Sequence, residues 1–498
     1  MKKTGKKTGK SKAARGALSR RVGRYAKVSS AALGLGARLA GEKYFGIDID
    51  KASHARQLME SLGALKGPLL KVVQLLATIP GALPREYADE FQKLQSQAPP
   101  MGWAFARRRM ASELGEDWEK KFKSFGREAV AAASLGQVHR AVTKEGLDVA
   151  CKLQYPDMLS AVEADLKQLK LIFGFIESYD RAVGTAEVQK EISDRLHEEL
   201  DYTREARHLS LYAFMLQNET GVHVPRLCSG LSTARLLTAS WMEGEGVMTF
   251  KKASAAARSC LALNLFRTWY VPLYNYGVIH GDPHPGNYTV REDFSLNLLD
   301  FGCVRVFPPK FVEGVITLYR ALQRDDRDMA VAAYESWGFT GLNKAIIDTL
   351  NTWAGFLYGP ILDDRVRAIG TLTKGVYGQE VARKVHQDLR KAGGVRLPRE
   401  FVFMDRAALG LGSVFLHLNA EVNWYQIFNE LISDFDLNAL QKRQKKTLNQ
   451  FGAGVVEMGQ RDEARVARLL GSDGRDPLGG GTADLGVSER RPHRAACG

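Results

Sequence analysis

His280-Gly281-Asp282-Pro283-His284-Pro285-Gly286-Asn287, followed by Asp300-Phe301-Gly302, is the stretch whose reading decides the fold. An aspartate, an asparagine five residues on and a second aspartate thirteen after that form the layout that phosphoryl transfer needs. Asp282 can accept a proton from, or orient, an attacking hydroxyl. Asn287 and Asp300 can hold the Mg²⁺ ions that bridge nucleotide phosphates. Between them, Tyr288 to Val290 and Leu296 to Leu299 read as two short strands joined by an acidic turn. Such a hairpin brings Asn287 and Asp300 to one end, where both reach a cation. Asp-Phe-Gly alone is a weak signal; the three residues at these spacings are a much stronger one.

Working towards the N-terminus, Ala255 to Tyr276 reads as an apolar helix leading into this stretch, and Glu243-Gly244 as a hinge. Pro225 to Met242 reads as two strands. Residues 157 to 183 and 186 to 217 read as two long helices, the second carrying Glu199, Asp201 and Glu205. Asp201 and Glu205 are four apart, which puts them on one face of a continuous helix. A carboxylate here can pair with Lys152, on the strand Val149-Ala150-Cys151-Lys152, and hold its ammonium toward phosphates. Eighteen residues before Lys152 the loop Ala131-Ala132-Ala133-Ser134 lies between strand-like pieces. Alanines stand where a kinase's phosphate loop has glycines. Backbone N–H groups can still face phosphate, but positive φ is denied, so the loop is stiffer.

Ala52 to Ile79 has a helical apolar pattern interrupted by Pro68, and carries Lys71-Val72-Val73-Gln74. Lys71 and Gln74 share a helix face. Residues 1 to 27 hold eleven Lys or Arg and no acid, which accounts for most of the net charge of +14. This tail reads as disordered and suited to an anionic membrane surface; without a base-reading motif, nucleic acid is not favoured. No apolar run reaches the ~18 residues of a transmembrane helix, and the basic start lacks the apolar core of a signal peptide. Five scattered cysteines with no Cys-x-x-Cys pair argue against a disulfide scaffold or zinc site and fit a reducing cytosol. After Gly302 the chain returns quickly to helix near Phe311 to Leu322, with no long activation segment and no Ala-Pro-Glu. Trp353, Phe356, Phe415 and Trp424 read as core.

Taken together, Lys71-Val72-Val73-Gln74, Ala131 to Gln137, Lys152, Glu199 to Asp201 with Glu205, and Asp282, Asn287 and Asp300 resemble the UbiB (Abc1 or AarF) family of atypical protein-kinase-like proteins. The likeness runs from about Ala52 to Phe307. It implies an α+β, two-lobed protein-kinase-like fold with an N-terminal helical extension and a mainly helical C-lobe. The corresponding divisions are a basic tail (1–45), the extension (46–120), an N-lobe with a helical insertion (121–244), a C-lobe (245–470) and a disordered tail (471–498).

The resemblance also implies catalytic roles for Asp282, Lys71, Glu199 and Asp201, with Lys71 buried over the active site near the two carboxylates. Ala131, Ala132, Ala133, Ser134, Lys152 and Glu205 would bind nucleotide, and Asn287 and Asp300 metal. The implied ligands are Mg²⁺ with ATP or ADP and a lipid or quinone-precursor small molecule. The implied partners are quinone-biosynthesis proteins, with peripheral contact at the inner face of a membrane from the cytoplasm. The implied activity is that of an atypical kinase or ATPase supporting ubiquinone biosynthesis. Two departures stand out: Val73 replaces the family's glycine, and Gly281 replaces the catalytic-loop arginine of protein kinases. Two other functions fit the same residues, a small-molecule phosphotransferase like the aminoglycoside or choline kinases, and a nucleotide-gated scaffold without turnover.

Overall fold

The structure, a computed structural model, describes residues 100–132, 135–179, 185–369, 381, 384, 385, 387–389, 391, 392 and 398–452. These divide into two compact units. One runs through Tyr202 and includes Leu231–Thr238; the other comprises Thr203–Gly230 and the chain from Ala239 onward. Glu243 and Gly244, read from sequence as a hinge, lie inside the second unit.

The first unit opens with helix α1 (Trp103–Leu114), which stops at Gly115, whose φ of 91° lies in the region that disfavours side chains. Strand β1 (Phe122–Phe125) follows, then β2 (Ala131–Ala132), β3 (Gly136–Thr143) and β4 (Asp148–Gln154). Alternation of buried and solvent-facing residues along β3 and β4 seats Ala141, Val149, Cys151 and Leu153 in the core. Trp118, Phe122 and Phe125 pack edge to face beneath β1. Helices α2 (Met158–Tyr179) and α3 (Thr185–Glu199) complete the unit.

The long helix read over 186–217 is in fact two, because α3 ends at Glu199 and α4 (Tyr202–Met215) begins three residues later. At the junction Leu200 and Asp201 donate to His197 and Glu198, three residues back, tightening the turn. Leu200's carbonyl instead accepts from Gln154 Nε2 of β4 at 2.9 Å. A side chain 46 residues away therefore satisfies the group that continued helix would have used. Asp201 lies outside both helices, so the expected shared helical face with Glu205 does not exist.

In the second unit, β5 (Val222–His223) precedes β6 (Leu236–Ser240), whose first residues return to the first unit's sheet in the order β1-β3-β4-β6, with β2 beside β3. Next come β7 (Glu245–Gly246) and helix α5 (Ala255–Tyr276). Helix α5 starts at Ser254, whose side chain accepts from the Ala257 N–H, and ends on Gly277 in the left-handed conformation. The glycine is required twice over, since a Cβ there would lie 2.2 Å from Gln444 Nε2. Strands β8 (Val278–His280), β9 (Tyr288–Val290), β10 (Leu296–Leu298) and β11 (Val304–Val306) follow directly. β9 and β10 form the expected antiparallel hairpin, and β8 pairs with β11.

The remainder is mainly helical: α6 (Pro309–Arg324), α7 (Arg327–Ser336), α8 (Lys344–Tyr358), β12 (Arg367–Ala368), α9 (Arg399–Leu418), β13 (Glu421–Val422), α10 (Trp424–Ile432) and α11 (Leu437–Gln450). Trp353, Phe415 and Trp424 are buried as expected, while Phe356 is only half-buried. Among the described residues, no helix is long and apolar enough to cross a membrane. The chain is thus α+β, a strand-rich unit and a larger helical one.

Candidate active site

The hairpin brings together what the sequence separates by thirteen residues. The Leu299 N–H donates to Asn287 O at 3.0 Å, extending the β9–β10 ladder to the edge of the site. Asp300 is the next residue. Asn287 Nδ2 donates to Asp282 twice, to the backbone oxygen at 3.2 Å and to Oδ2 at 3.1 Å. Both partners are acceptors, so the amide must present its NH₂ to Asp282, and its Oδ1 is the atom left to meet a cation. Asp282 Oδ1 accepts the His284 N–H at 3.3 Å, and Asp300 Oδ1 accepts the Gly302 N–H at 2.9 Å. Both carboxylates are thereby oriented by backbone donors.

Behind them, three side chains hold successive carbonyls of the Asp300-Phe301-Gly302 segment. His280 Nε2 donates to Asp300 O at 2.5 Å. His208 Nδ1 donates to Phe301 O at 3.2 Å, and burial, with Arg204 beside it, pushes that imidazole well below its ordinary range, so it is neutral. Arg204 donates to Gly302 O at 3.1 Å and to Val304 O at 3.3 Å. Arg204 and His208 are four apart on α4 and share a face. Neither was singled out from the sequence, because their targets are carbonyls nearly a hundred residues away.

His280 is fully buried among the rings of Tyr212, Trp269 and Phe301, at 5.9, 5.8 and 6.2 Å. Gly281 has a packing reason as well. Its N–H donates to Cys303 O at 2.5 Å, and a Cβ there would lie 2.7 Å from the same oxygen. An arginine at this position would force β8 and β11 apart. Cys303 itself is a free, half-buried thiol.

In the first unit, Lys152 stands opposite Val138 on β4, with Nζ 5.2 Å from the centre of the Tyr202 ring. Ala131 and Ala132 are exposed and pair with Val138 and Gln137; Ala133 and Ser134 lie outside the described residues. Gln137 is fully buried, and its amide exchanges two bonds with the Met101 backbone, at 2.7 and 3.0 Å. Glu199 closes α3 and Asp201 follows it; both are half-buried. Glu205, in the first turn of α4 in the second unit, is buried. Lys71, Val73 and Gln74 lie outside the described residues, as does the whole helical extension before residue 100.

For a metal, the donors are hard oxygens of one carboxylate and one amide, which suit Mg²⁺ with phosphate and water completing its shell. No group of three or more His, Cys, Asp or Glu is poised to hold an ion among the described residues, so a dedicated all-protein cage is not what these residues form.

Comparison with known proteins agrees with this geometry. Residues 93–334 match the ABC1 atypical kinase-like domain. The chain is 30% identical over 293 residues to Protein ACTIVITY OF BC1 COMPLEX KINASE 8, chloroplastic, of Arabidopsis thaliana, covering 57% of this chain and 38% of that protein. It is 28% identical over 262 residues to Atypical kinase COQ8, mitochondrial, of Saccharomyces cerevisiae, covering 52% of each. The chain therefore spans about two fifths to one half of these relatives' lengths. Among solved structures, that of Rv3197 with erythromycin from Mycobacterium tuberculosis superposes with a TM-score of 0.55 at 26% identity, covering 76% of this chain and 96% of that one. Residues 93–334 thus form an ABC1 atypical kinase-like domain, in keeping with the resemblance of the sequence to the UbiB family.

Proposed function

We propose that this protein is an atypical kinase or ATPase that binds Mg²⁺ with ATP or ADP and supports isoprenoid quinone (ubiquinone) biosynthesis or related lipid metabolism. The observation that carries the reading is the anchoring of Asn287 Nδ2 on Asp282, beside an Asp300 whose backbone and carboxylate are both held. Asn287 and Asp300 would hold Mg²⁺, which on binding neutralises charge on the phosphates. Asp282 orients the attacking hydroxyl or water. Lys152 meets nucleotide phosphates, with Ala131 to Ser134 as the phosphate loop and Glu205 as the lysine's carboxylate partner.

Lys71, with Glu199 and Asp201, is assigned on the family resemblance to bias the site against protein phosphorylation. The link to quinone or lipid chemistry rests on the same resemblance, as does association with quinone-biosynthesis proteins. The eleven basic residues among the first 27 support peripheral contact with an anionic membrane from the cytoplasmic side. The test is phosphate release from ATP by the purified chain, with and without anionic liposomes and a quinone-precursor mimic, against Asp300→Asn. Turnover that depends on Asp300 and rises with lipid or mimic supports the reading. Nucleotide binding with no phosphate release under any condition would replace it with a scaffold.

A further inference from the structure

A cavity of about 430 Å³ lies within the second unit, bounded by α5, α6, α8 and α9. Its wall is strongly aromatic, including Tyr270, Tyr274, Trp337, Trp353 and Tyr358. On α9, Phe401, Asp405, Ala408, Gly412 and Phe415 face it at helical spacing, so a single carboxyl interrupts an apolar stripe. Asp405 is the one carboxyl among the described residues that line the cavity, and no Lys or Arg is among them. Trp353 Nε1 donates to its Oδ1 at 2.7 Å. Burial pushes this carboxyl up to about 6, opposed by the Trp353 bond, so at neutral pH it is charged in a site that disfavours charge. There is room on the α9 wall, since a Cβ added to Gly412 would meet nothing within 4 Å.

These features select a ligand class. The volume falls in the range of small-molecule pockets. A phosphate or carboxylate headgroup would find no cation here. A wholly apolar ligand would leave this half-buried carboxylate, held only by the Trp353 N–H, without a counter-charge. A cationic amine on an apolar body meets both conditions, since its ammonium pairs with the carboxylate and its alkyl groups lie on aromatic faces. We propose that this cavity binds an apolar small molecule carrying one amine, with the ammonium against Asp405 and the hydrocarbon body against the aromatic wall. The proposal does not depend on the nucleotide site.

The test uses the full chain without nucleotide and a matched pair of probes, 4-phenylbutylamine and 4-phenylbutanol, titrated calorimetrically at neutral pH. The amine should bind more tightly than the alcohol. Asp405→Asn, which keeps an acceptor for Trp353, should weaken the amine by about tenfold or more and leave the alcohol unchanged. Gly412→Leu, which fills the cavity, should remove binding of both; circular dichroism of each variant establishes that it is folded. Should Gly412→Leu fail to fold, the Asp405→Asn comparison decides alone. Equal affinities for amine and alcohol in the wild type, an amine affinity indifferent to Asp405→Asn, or no amine binding at all would overturn the proposal.

Discussion

Asp405→Asn is also a quantitative test of the structure itself, through the pH dependence of stability. In the folded chain Asp405 titrates at about 6 rather than at 3.8. A carboxyl raised by burial is favoured in its neutral form when folded, so the sign runs against stability as pH rises. Well below about pH 4 both folded and unfolded states hold the proton, and the group contributes nothing. Between about pH 4 and 6 the unfolded chain releases the proton while the folded chain keeps it, and stability falls. Above about pH 6 both are ionised and the loss is complete, about 3 kcal/mol for a shift of about two units.

Asparagine has nearly the same shape, cannot ionise and still accepts from Trp353 Nε1. The variant should therefore be more stable than wild type by about 1 kcal/mol at about pH 4.5 and about 3 kcal/mol at about pH 8. Urea unfolding followed by tryptophan fluorescence at the two pH values measures the difference. A gain of equal size at both, or no gain at about pH 8, would refute the burial of this carboxyl and with it the description of the cavity.

Three further changes probe the supports of the candidate site. Gln154→Ala strands the Leu200 carbonyl at the α3–α4 junction and should cost about 1–3 kcal/mol in chemical denaturation, a loss near zero meaning that the junction is held otherwise. Arg204→Met keeps the aliphatic packing but removes both bonds to the Gly302 and Val304 carbonyls. It should weaken Mg-nucleotide binding in a titration while leaving the far-ultraviolet dichroism intact; unaltered affinity would reduce Arg204 to a structural residue. Lys152→Ala should lower nucleotide affinity by about tenfold or more, as expected for a charge-assisted contact, and unaltered affinity in equilibrium binding would exclude it from the phosphates.

What could be read in advance was local. The β9–β10 hairpin is encoded by two short alternating segments, Tyr288-Thr289-Val290 and Leu296-Asn297-Leu298, and a turn in which Asp293 Oδ1 accepts the Ser295 N–H at 3.0 Å. Helix α5 carries its own start and stop in Ser254 and Gly277. The break at Leu200–Asp201 has no such signal, because helical pattern continues through it and the competing partner, Gln154, comes from a distant strand. Arg204 and His208 look like polar positions of an amphipathic helix until the carbonyls they hold are brought beside them by the fold. Asp405 carries no signal of its own in the sequence; only the cavity around it gives that acid a meaning. Lys71 and Gln74, which carry much of the family resemblance, lie outside the described residues, so their assignment rests on sequence alone.

The most direct test of the central claim is a calorimetric titration of ATP into wild-type and Asp300→Asn protein, each with and without Mg²⁺, with circular dichroism establishing that both are folded. The account predicts Mg²⁺-dependent binding in the wild type and loss of that dependence in Asp300→Asn, because the carboxylate oriented by the Gly302 N–H would be the charged ligand of the ion. Equal, Mg²⁺-dependent affinities in the two proteins would contradict it.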